Sequence, residues 1–275
     1  MDLGLEERVA LIAGGSSGIG LATALELAGE GAHVAIGARD PERLAQAQRR
    51  IEKVARGRVH ATSVDVTDES AARQWVDDVA TEFGMLHIVF VSGGSPPIGT
   101  AAQFDLGDYR TAVERVLYPA VNLALAALPH LERAGWGRVL FVASETASVP
   151  ISPLALSGVT RAALVRFAQG LASEVGPKGI TVNVLAPGGV RTPPMERAAQ
   201  RLAADGDVEA MLEAMGHHNA LRRLARPEEV AAVAAFLASQ RASFVTGAVH
   251  LIDGGAGVMG PDLPHLTTAR KDTYA

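Results

Sequence analysis

The stretch RVALIAGGSSGIG, residues 8–20, decides the fold. Residues 8–13 are an apolar run typical of a buried β-strand, and residues 21–29 continue as a helix. Between them, Gly14, Gly18 and Gly20 lack the Cβ atoms that would block a tight turn and the close approach of a phosphate. The free amides at the start of the helix attract an anion. The stretch predicts a pyrophosphate-binding loop made of Gly14, Ser16, Ser17, Gly18, Ile19 and Gly20, with a plain strand–helix turn as the alternative.

The rest of the chain repeats this alternation of short apolar strands and longer helices. Further strands are predicted at 33–38, 59–66, 87–91, 138–143, 180–185 and 249–253, and further helices at 41–55, 68–83, 107–134, 157–175 and 227–239. Strands that are apolar on both faces and joined by helices indicate a parallel sheet covered on both sides. We therefore predict an α/β fold, a Rossmann-type doubly wound parallel sheet.

No break in composition divides the 275 residues, so we predict a single domain over 1–275. Two segments interrupt the regular alternation. The insertion at about 192–226 lies between a strand and the last helix and is predicted to form a helical substrate lid. The tail at about 254–275 contains Gly and Pro, and contact with a neighbouring subunit is one interpretation of it.

Composition excludes several classes of function. The formal net charge is -5 without long runs of either sign, which argues against a nucleic-acid or anionic-membrane surface. The chain has no cysteine, so it has no disulfide or thiolate chemistry. We see no metal-ligand spacing, no secretory signal and no apolar run approaching the ~20 residues of a membrane helix. We expect a soluble, cytoplasmic protein without a metal.

The end of the second strand predicts which dinucleotide binds. A carboxylate there reads a ribose 2′-hydroxyl, and an arginine reads a 2′-phosphate. Position 38 carries no acid and Arg39 follows, which favours NADP, with NAD as the alternative coenzyme. A solvated Arg39 that pairs with Asp40 or Glu42 is the competing interpretation. Asp65, at the end of the third strand, is placed to accept a hydrogen bond from an adenine amino group, or else it initiates a turn.

From about Leu5 to Gly255 the chain resembles the short-chain dehydrogenase/reductase family, particularly its β-ketoacyl-carrier-protein-reductase-like members. The motifs are AGGSSGIG, Asp65-Val66, the segment PGGVRTP at 187–193, and RPEE with FLAS, VTG and DGG. The resemblance implies that Asp65 and Val66 line the adenine site. It also implies that Gly93 and the set Pro187, Gly188, Val190 and Thr192 lie against the nicotinamide half, and that the chain forms a homodimer or homotetramer.

The catalytic motif departs from the family pattern. The family uses a serine, a tyrosine and a lysine four positions after the tyrosine, with an asparagine on the preceding helix. Here Ser144 stands at the serine position, Ser157 replaces the tyrosine and Arg161 replaces the lysine. The asparagine position falls on Val116, and no Tyr-x-x-x-Lys occurs anywhere in the chain. Ser144, Ser157 and Arg161 are the candidate catalytic residues, and Arg161 is also a candidate for binding the ribose.

These substitutions weaken proton transfer. A serine hydroxyl is a far weaker acid than a tuned phenol, and arginine stays protonated. The three side chains can polarise a carbonyl while water supplies the proton. Glu145 is an alternative proton-exchanging or substrate-contacting group, or an exposed loop carboxylate. His217 and His218 in the lid are a further candidate pair, or are simply solvated.

Three functional hypotheses follow. The first is an NADP-dependent oxidoreductase acting on a carbonyl/alcohol pair with an altered proton supply; the substrate is a small molecule that the sequence does not identify. The second is a redox-inactive module that senses a dinucleotide or serves as a scaffold. The third is an elimination or hydration reaction on the same fold, with Glu145 or a lid histidine as base.

Overall fold

A computed structural model describes residues 2–203 and 206–258. Its centre is one parallel sheet of seven strands in the order β3-β2-β1-β4-β5-β6-β7. The strands are β1 (Val9–Ala13), β2 (His33–Ala38), β3 (Val59–Ser63), β4 (Ile88–Val91), β5 (Gly137–Val142), β6 (Ile180–Pro187) and β7 (Val249–Ile252). The strand order reverses between β1 and β4, and the carboxyl ends on either side of that point form the usual ligand crevice. The predicted doubly wound parallel sheet is confirmed.

Helices cover both faces of the sheet, because almost every strand residue is apolar and must be buried on both sides. They are α1 (Gly18–Gly29), α2 (Pro41–Glu52), α3 (Glu69–Phe83), α4 (Leu106–Ala112), α5 (Tyr118–Ala134), α6 (Ala155–Val175), α7 (Pro193–Leu202), α8 (Val208–Gly216) and α9 (Pro227–Ala238). One buried cluster joins the sheet to α3, α5 and α6, and the other joins it to α1, α2 and α9. Asp68 caps α3 by accepting from the amide of Ala71.

The helix predicted at 107–134 is interrupted. A π-helical turn at Val113–Leu117 separates α4 from α5, and the amide of Tyr118 donates to the carbonyl of Val113. Pro119 has no N–H and cannot bond to the carbonyl of Arg115 four residues earlier, which loosens the helix at this point. The turn contains Val116, the position where the family pattern has asparagine.

The combined helical run Leu106–Ala134 is apolar and long enough to qualify as a membrane span by length and composition alone, which sequence inspection had not indicated. Its buried residues Ala120, Leu123, Ala124, Ala127 and Leu131 are part of the core. The run therefore serves as a helix packed on the sheet.

Helices α7 and α8 lie within the insertion at 192–226. Arg191 ties them together through a bidentate bond to Glu209 of α8 and a weaker ion pair, at 3.6 Å, to Glu196 of α7. Of the tail predicted at 254–275, only residues 254–258 belong to the described part of the chain.

Candidate functional site

The glycine-rich loop between β1 and α1 has the backbone that a phosphate cradle needs. Gly14 has φ +77° and Gly18 has φ +54°, both in the region that favours glycine. A Cβ on Gly14 would collide with the carbonyl oxygen of Ser92, and one on Gly20 with that of Gly14. Ser17 precedes α1, and its hydroxyl does not cap the helix. The first amides of α1 and this hydroxyl are therefore left for an anion.

The other predicted loop residues have distinct positions. Ser16 is half-buried, and the side chain of Ile19 packs on the apolar core beneath the loop. The methyl group of Thr192 lies 3.2 Å from where a Cβ on Gly18 would stand. The fold thus brings the glycine-rich loop, the Ser92–Gly94 turn and Thr192 together at one edge of the sheet.

Arg39 and Asp65 follow β2 and β3, which are adjacent in the sheet. Asp40 accepts from the amides of α2 and pairs with Arg43, and Arg39 forms no ion pair with any residue described.

Asp65 Oδ1 accepts from the amide and hydroxyl of Thr67, at 3.0 and 2.8 Å. That amide bond is the main cause of the lowered pKa of Asp65. Asp65 therefore initiates a turn, which was the alternative interpretation of this residue. Its second carboxylate oxygen accepts no hydrogen bond within the described chain. Val66 packs against the core.

Three hydroxyl groups meet at the carboxyl end of β5. Ser144 Oγ accepts from the amide of Thr146 at 3.2 Å, and Thr146 Oγ1 lies 3.0 Å from Ser157 Oγ. Thr146 thus connects Ser144 and Ser157, the two serines that the family resemblance names as candidates. Thr146 is buried and was missed at the sequence level, because a threonine four residues after a strand carries no distinctive signal.

Arg161 is directed into the protein. Its Nη1 donates to the carbonyl of Val142 at 2.9 Å, and its Nη2 donates to those of Gly93 and Gly94 at 3.0 and 2.6 Å. The side chain is buried, and burial lowers the pKa of Arg161 to about 10, so it stays charged at neutral pH. Three of its five N–H groups are thus bonded to backbone, and the predicted fork toward a ribose would have only the other two.

The segment after β6 lies at the same edge of the sheet as the turn after β5. Pro187 ends β6, and the amide of Gly188 donates to the carbonyl of Ile252. The Val190 side chain belongs to the core, so only its backbone can face a ligand. Glu145 Oε2 lies 3.2 Å from where a Cβ on Gly188 would stand, and Cα of Asp253 lies 3.0 Å from that point. Asp253 is a second site residue that sequence reasoning missed.

The two histidines of the predicted lid stand apart from these groups. His217 and His218 are exposed at the end of α8 and have no ion pair or side-chain hydrogen bond with other described residues. Across the described ranges, His, Asp and Glu side chains form no cluster that would hold a metal ion. The polar side chains described at this edge are the hydroxyls of Ser144, Thr146 and Ser157, the buried guanidinium of Arg161, and the carboxylates of Glu145 and Asp253.

The chain is similar in sequence to a known family and to characterised proteins. A family model described as enoyl-(acyl carrier protein) reductase matches residues 13–257. A cis-4-hydroxycyclohexanecarboxylate dehydrogenase from Sinomonas cyclohexanicum is 35% identical over 250 residues, 90% of this chain and 96% of the relative. A cyclic-di-GMP-binding biofilm dispersal mediator protein from Escherichia coli K12 is 34% identical over 91% of this chain and 97% of its own length.

A solved structure shows the same likeness in three dimensions. The L-sorbose reductase of Gluconobacter frateurii, complexed with NADPH and L-sorbose, has a TM-score of 0.89 and 34% sequence identity. The match covers 93% of this chain and 98% of the reductase. The two proteins are therefore similar in both sequence and fold over nearly the full length of each chain.

Proposed function

The chain belongs to the short-chain dehydrogenase/reductase family of oxidoreductases, and we propose that it is an NADP-dependent member interconverting a carbonyl and an alcohol without the family's tyrosine–lysine relay. The observation that carries the proposal is the glycine-rich loop, where Gly14 and Gly18 hold positive φ and Ser92 leaves no room for a side chain. When bound, NADPH supplies a hydride to the carbonyl carbon of the substrate.

The residues present fit the dinucleotide. The loop from Gly14 to Gly20 and the start of α1 would hold the pyrophosphate. Arg39, which has no ion-pair partner in the described chain, would bind a 2′-phosphate through charge-assisted hydrogen bonds. The second oxygen of Asp65, with Val66, would face the adenine. Pro187, Gly188, the Val190 backbone and Thr192 would border the nicotinamide amide.

The hydroxyls of Ser144 and Ser157 would hold the substrate oxygen, with Thr146 fixing both. Arg161 would act mainly by holding Gly93 and Gly94, so that the turn after β4 keeps its place against the glycine-rich loop. Its remaining N–H groups would be the ones to meet a ribose. Helices α7 and α8 would form the lid over the substrate.

The same proposal includes a homodimer or homotetramer in the cytoplasm. Tyr118 and Leu125 on α5 and Val159 on α6 are large apolar side chains that are exposed in the single chain. An assembly that pairs these helices would bury them. Multi-angle light scattering on the purified protein checks the mass, and a monomer at micromolar concentration would contradict this part.

The coenzyme preference is tested by titrating NADPH and NADH into wild-type protein and Arg39→Ala. We expect wild type to prefer NADPH, and the variant to lose about tenfold or more of NADPH affinity, since a charge-assisted phosphate bond contributes on the order of 1.5–3 kcal/mol. NADH affinity should stay unchanged. Arg43→Ala, on the next turn, is the matched control, and equal losses for both coenzymes would contradict the assignment of Arg39.

The reaction is tested by following NADPH oxidation with a panel of ketones that includes L-sorbose and 4-oxocyclohexanecarboxylate, which the relatives' names suggest. Slow turnover with at least one of them is expected. Absence of NADPH binding would overturn the proposal.

A second candidate is a nucleotide-binding module without redox turnover. The specific observation in its favour is the 34% identical relative named as a cyclic-di-GMP-binding mediator, together with the absence of a Tyr-x-x-x-Lys motif. Calorimetric titration with cyclic-di-GMP separates the two. Tight cyclic-di-GMP binding with no NADPH oxidation would favour the module.

A further inference from the structure

Glu145 lies between two strand ends at the proposed site. It follows Ser144 directly and is the first residue of a 3₁₀ turn after β5. Its Oε2 lies 3.2 Å from where a Cβ on Gly188, just beyond β6, would stand, so a side chain at position 188 would crowd the carboxylate. The carboxylate therefore lies at the carboxyl edge of adjacent strands, where ligands of such sheets bind.

The Glu145 carboxylate has no compensating charge. Within 2–203 and 206–258 it accepts no hydrogen bond and forms no ion pair, and the residue is half-buried. The charged group that acts on it is Asp253 beyond β7, which has the same sign. The arginines on the elements packed against the turn are engaged elsewhere: Arg161 with backbone carbonyls, and Arg191 with Glu196 and Glu209.

This environment favours the protonated form. Burial first, and Asp253 second, raise the pKa of Glu145 above its usual value. A carboxylate kept only for structure would be paired or capped, as Asp253 is by the amides of Gly255 and Gly257. Glu145 is instead both unpaired and next to Ser144.

The neighbouring groups cannot exchange protons near neutral pH. Ser144 and Ser157 are weakly acidic hydroxyls without an adjacent base. Arg161 is buried and remains charged. Glu145 is a carboxyl group at this edge, and its pKa is raised toward the working range of a general acid.

We propose that Glu145 is a catalytic residue. It is the general acid and base that exchanges a proton with the substrate oxygen, the role that the tyrosine has in the family pattern. The inference rests on the proposed function. As the carbonyl carbon gains a hydride, the proton on Glu145 Oε moves to the carbonyl oxygen, and an O–H bond forms as the carboxyl O–H bond breaks. Water then returns a proton to the carboxylate; in alcohol oxidation each transfer runs in reverse.

The first test needs no coenzyme and no substrate. Carboxyl carbons of ¹³C-labelled glutamate are titrated by NMR in wild type, Glu145→Gln and Asp253→Asn. We expect one glutamate that titrates above the ordinary value of about 4.3 in wild type and is absent from Glu145→Gln. In Asp253→Asn its pKa should fall, because a like charge has been removed.

The second test measures turnover against pH with NADPH and the best carbonyl compound. Only protonated Glu145 donates a proton, so the rate of reduction should fall as pH rises through the pKa of Glu145. In Asp253→Asn this fall in rate should occur at lower pH, because the pKa of Glu145 is lower. Glu145→Gln should lower kcat by about 10²–10⁴-fold and leave NADPH affinity unchanged. Glu174→Gln, exposed near the far end of α6, is the matched control and should behave as wild type.

The outcomes separate the two proposals. NADPH oxidation that Glu145→Gln leaves unchanged, or a Glu145 that titrates as an exposed glutamate, overturns the assignment of Glu145 alone. Wild-type protein that binds no NADPH, or that reduces no carbonyl compound, overturns the proposed function and the proton-transfer role with it.

Discussion

Arg161 shows how one residue changes its role with its surroundings. At a position where the family pattern has a lysine facing the coenzyme, this guanidinium donates to three backbone carbonyls and ties β5 to the turn after β4. A planar fork with five donors suits that task, whereas an ammonium is a compact point charge. The charge is held in the protein because those carbonyls replace the water it loses.

Replacing Arg161 by methionine should destabilise the fold by about 1–3 kcal/mol. The buried carbonyl of Val142 would lose its partner, whereas those of the exposed Gly93 and Gly94 can bond to water. Urea denaturation measures the change. Arg166→Met on the exposed face of the same helix should stay within about 0.5 kcal/mol of wild type, and an equal loss in both variants would contradict this account.

Glu145 should make stability depend on pH. Its pKa is raised in the folded state, so the folded protein binds the proton more tightly than the unfolded chain does. Stability is therefore lost as pH rises from the pKa of Glu145 in the unfolded chain through its pKa in the folded protein. Glu145→Gln should therefore melt above wild type at pH 8, and level with it at about pH 3.5, below the ordinary glutamate pKa of about 4.3. Thermal melts at the two pH values check this. A variant that melts lower at pH 8 would show that the carboxylate stabilises the fold.

Among the elements, the turn from β1 to α1 is the most constrained. Gly14 combines a positive φ with a carbonyl at the place of its absent Cβ. Gly29, at the other end of α1, has open space around it. The turn therefore requires a glycine at position 14, whereas α1 has room for a side chain at position 29.

Gly14→Ala should lower the free energy of unfolding by about 1–3 kcal/mol and abolish NADPH binding, because the loop must move to admit the methyl group. Gly29→Ala should be neutral or stabilise by up to about 1 kcal/mol, since alanine favours the helix. Chemical denaturation and fluorescence titration of NADPH measure both effects. Full NADPH affinity in Gly14→Ala would mean that the dinucleotide binds elsewhere.

At the scale of the whole molecule, the sheet brings residues from four strand ends to one crevice. The glycine-rich loop follows β1, Ser92–Gly94 follow β4, Ser144–Thr146 follow β5 and Gly188 follows β6. A scaffold of this kind should support the family's tyrosine–lysine proton relay if a tyrosine and a lysine are placed at positions 157 and 161.

The double substitution Ser157→Tyr with Arg161→Lys tests that expectation. In a Glu145→Gln background it should restore carbonyl reduction by about 10²-fold or more, because a phenol beside an ammonium again supplies the proton. Ser157→Tyr alone should restore less, as it lacks the free ammonium. Steady-state kcat gives the answer, and an inactive but folded triple variant would show that the crevice no longer admits the relay.

The sequence predicted most elements to within a few residues, because their signals are local. Apolar runs, the glycine spacing in AGGSSGIG and Pro227 at the first turn of α9 all act over a few neighbouring positions. It failed at Val113–Leu117, where one missing amide outweighed a strong helical pattern. It also missed Thr146 and Asp253, whose significance depends on what lies opposite them.

The sequence alone determined the alternation of strands and helices, the phosphate-type loop and the absence of a Tyr-x-x-x-Lys motif, since each is written in adjacent or evenly spaced residues. Only the tertiary structure decided where Arg161 points and what surrounds Glu145. Arg161 meets Gly93 across 68 positions of the chain. The Glu145 carboxylate lies beside the place of the absent Gly188 Cβ and is acted on by the charge of Asp253, and these residues follow three different strands. Such contacts arise from the order of strands in the sheet, which brings distant residues within bonding distance and sets the local dielectric and charge.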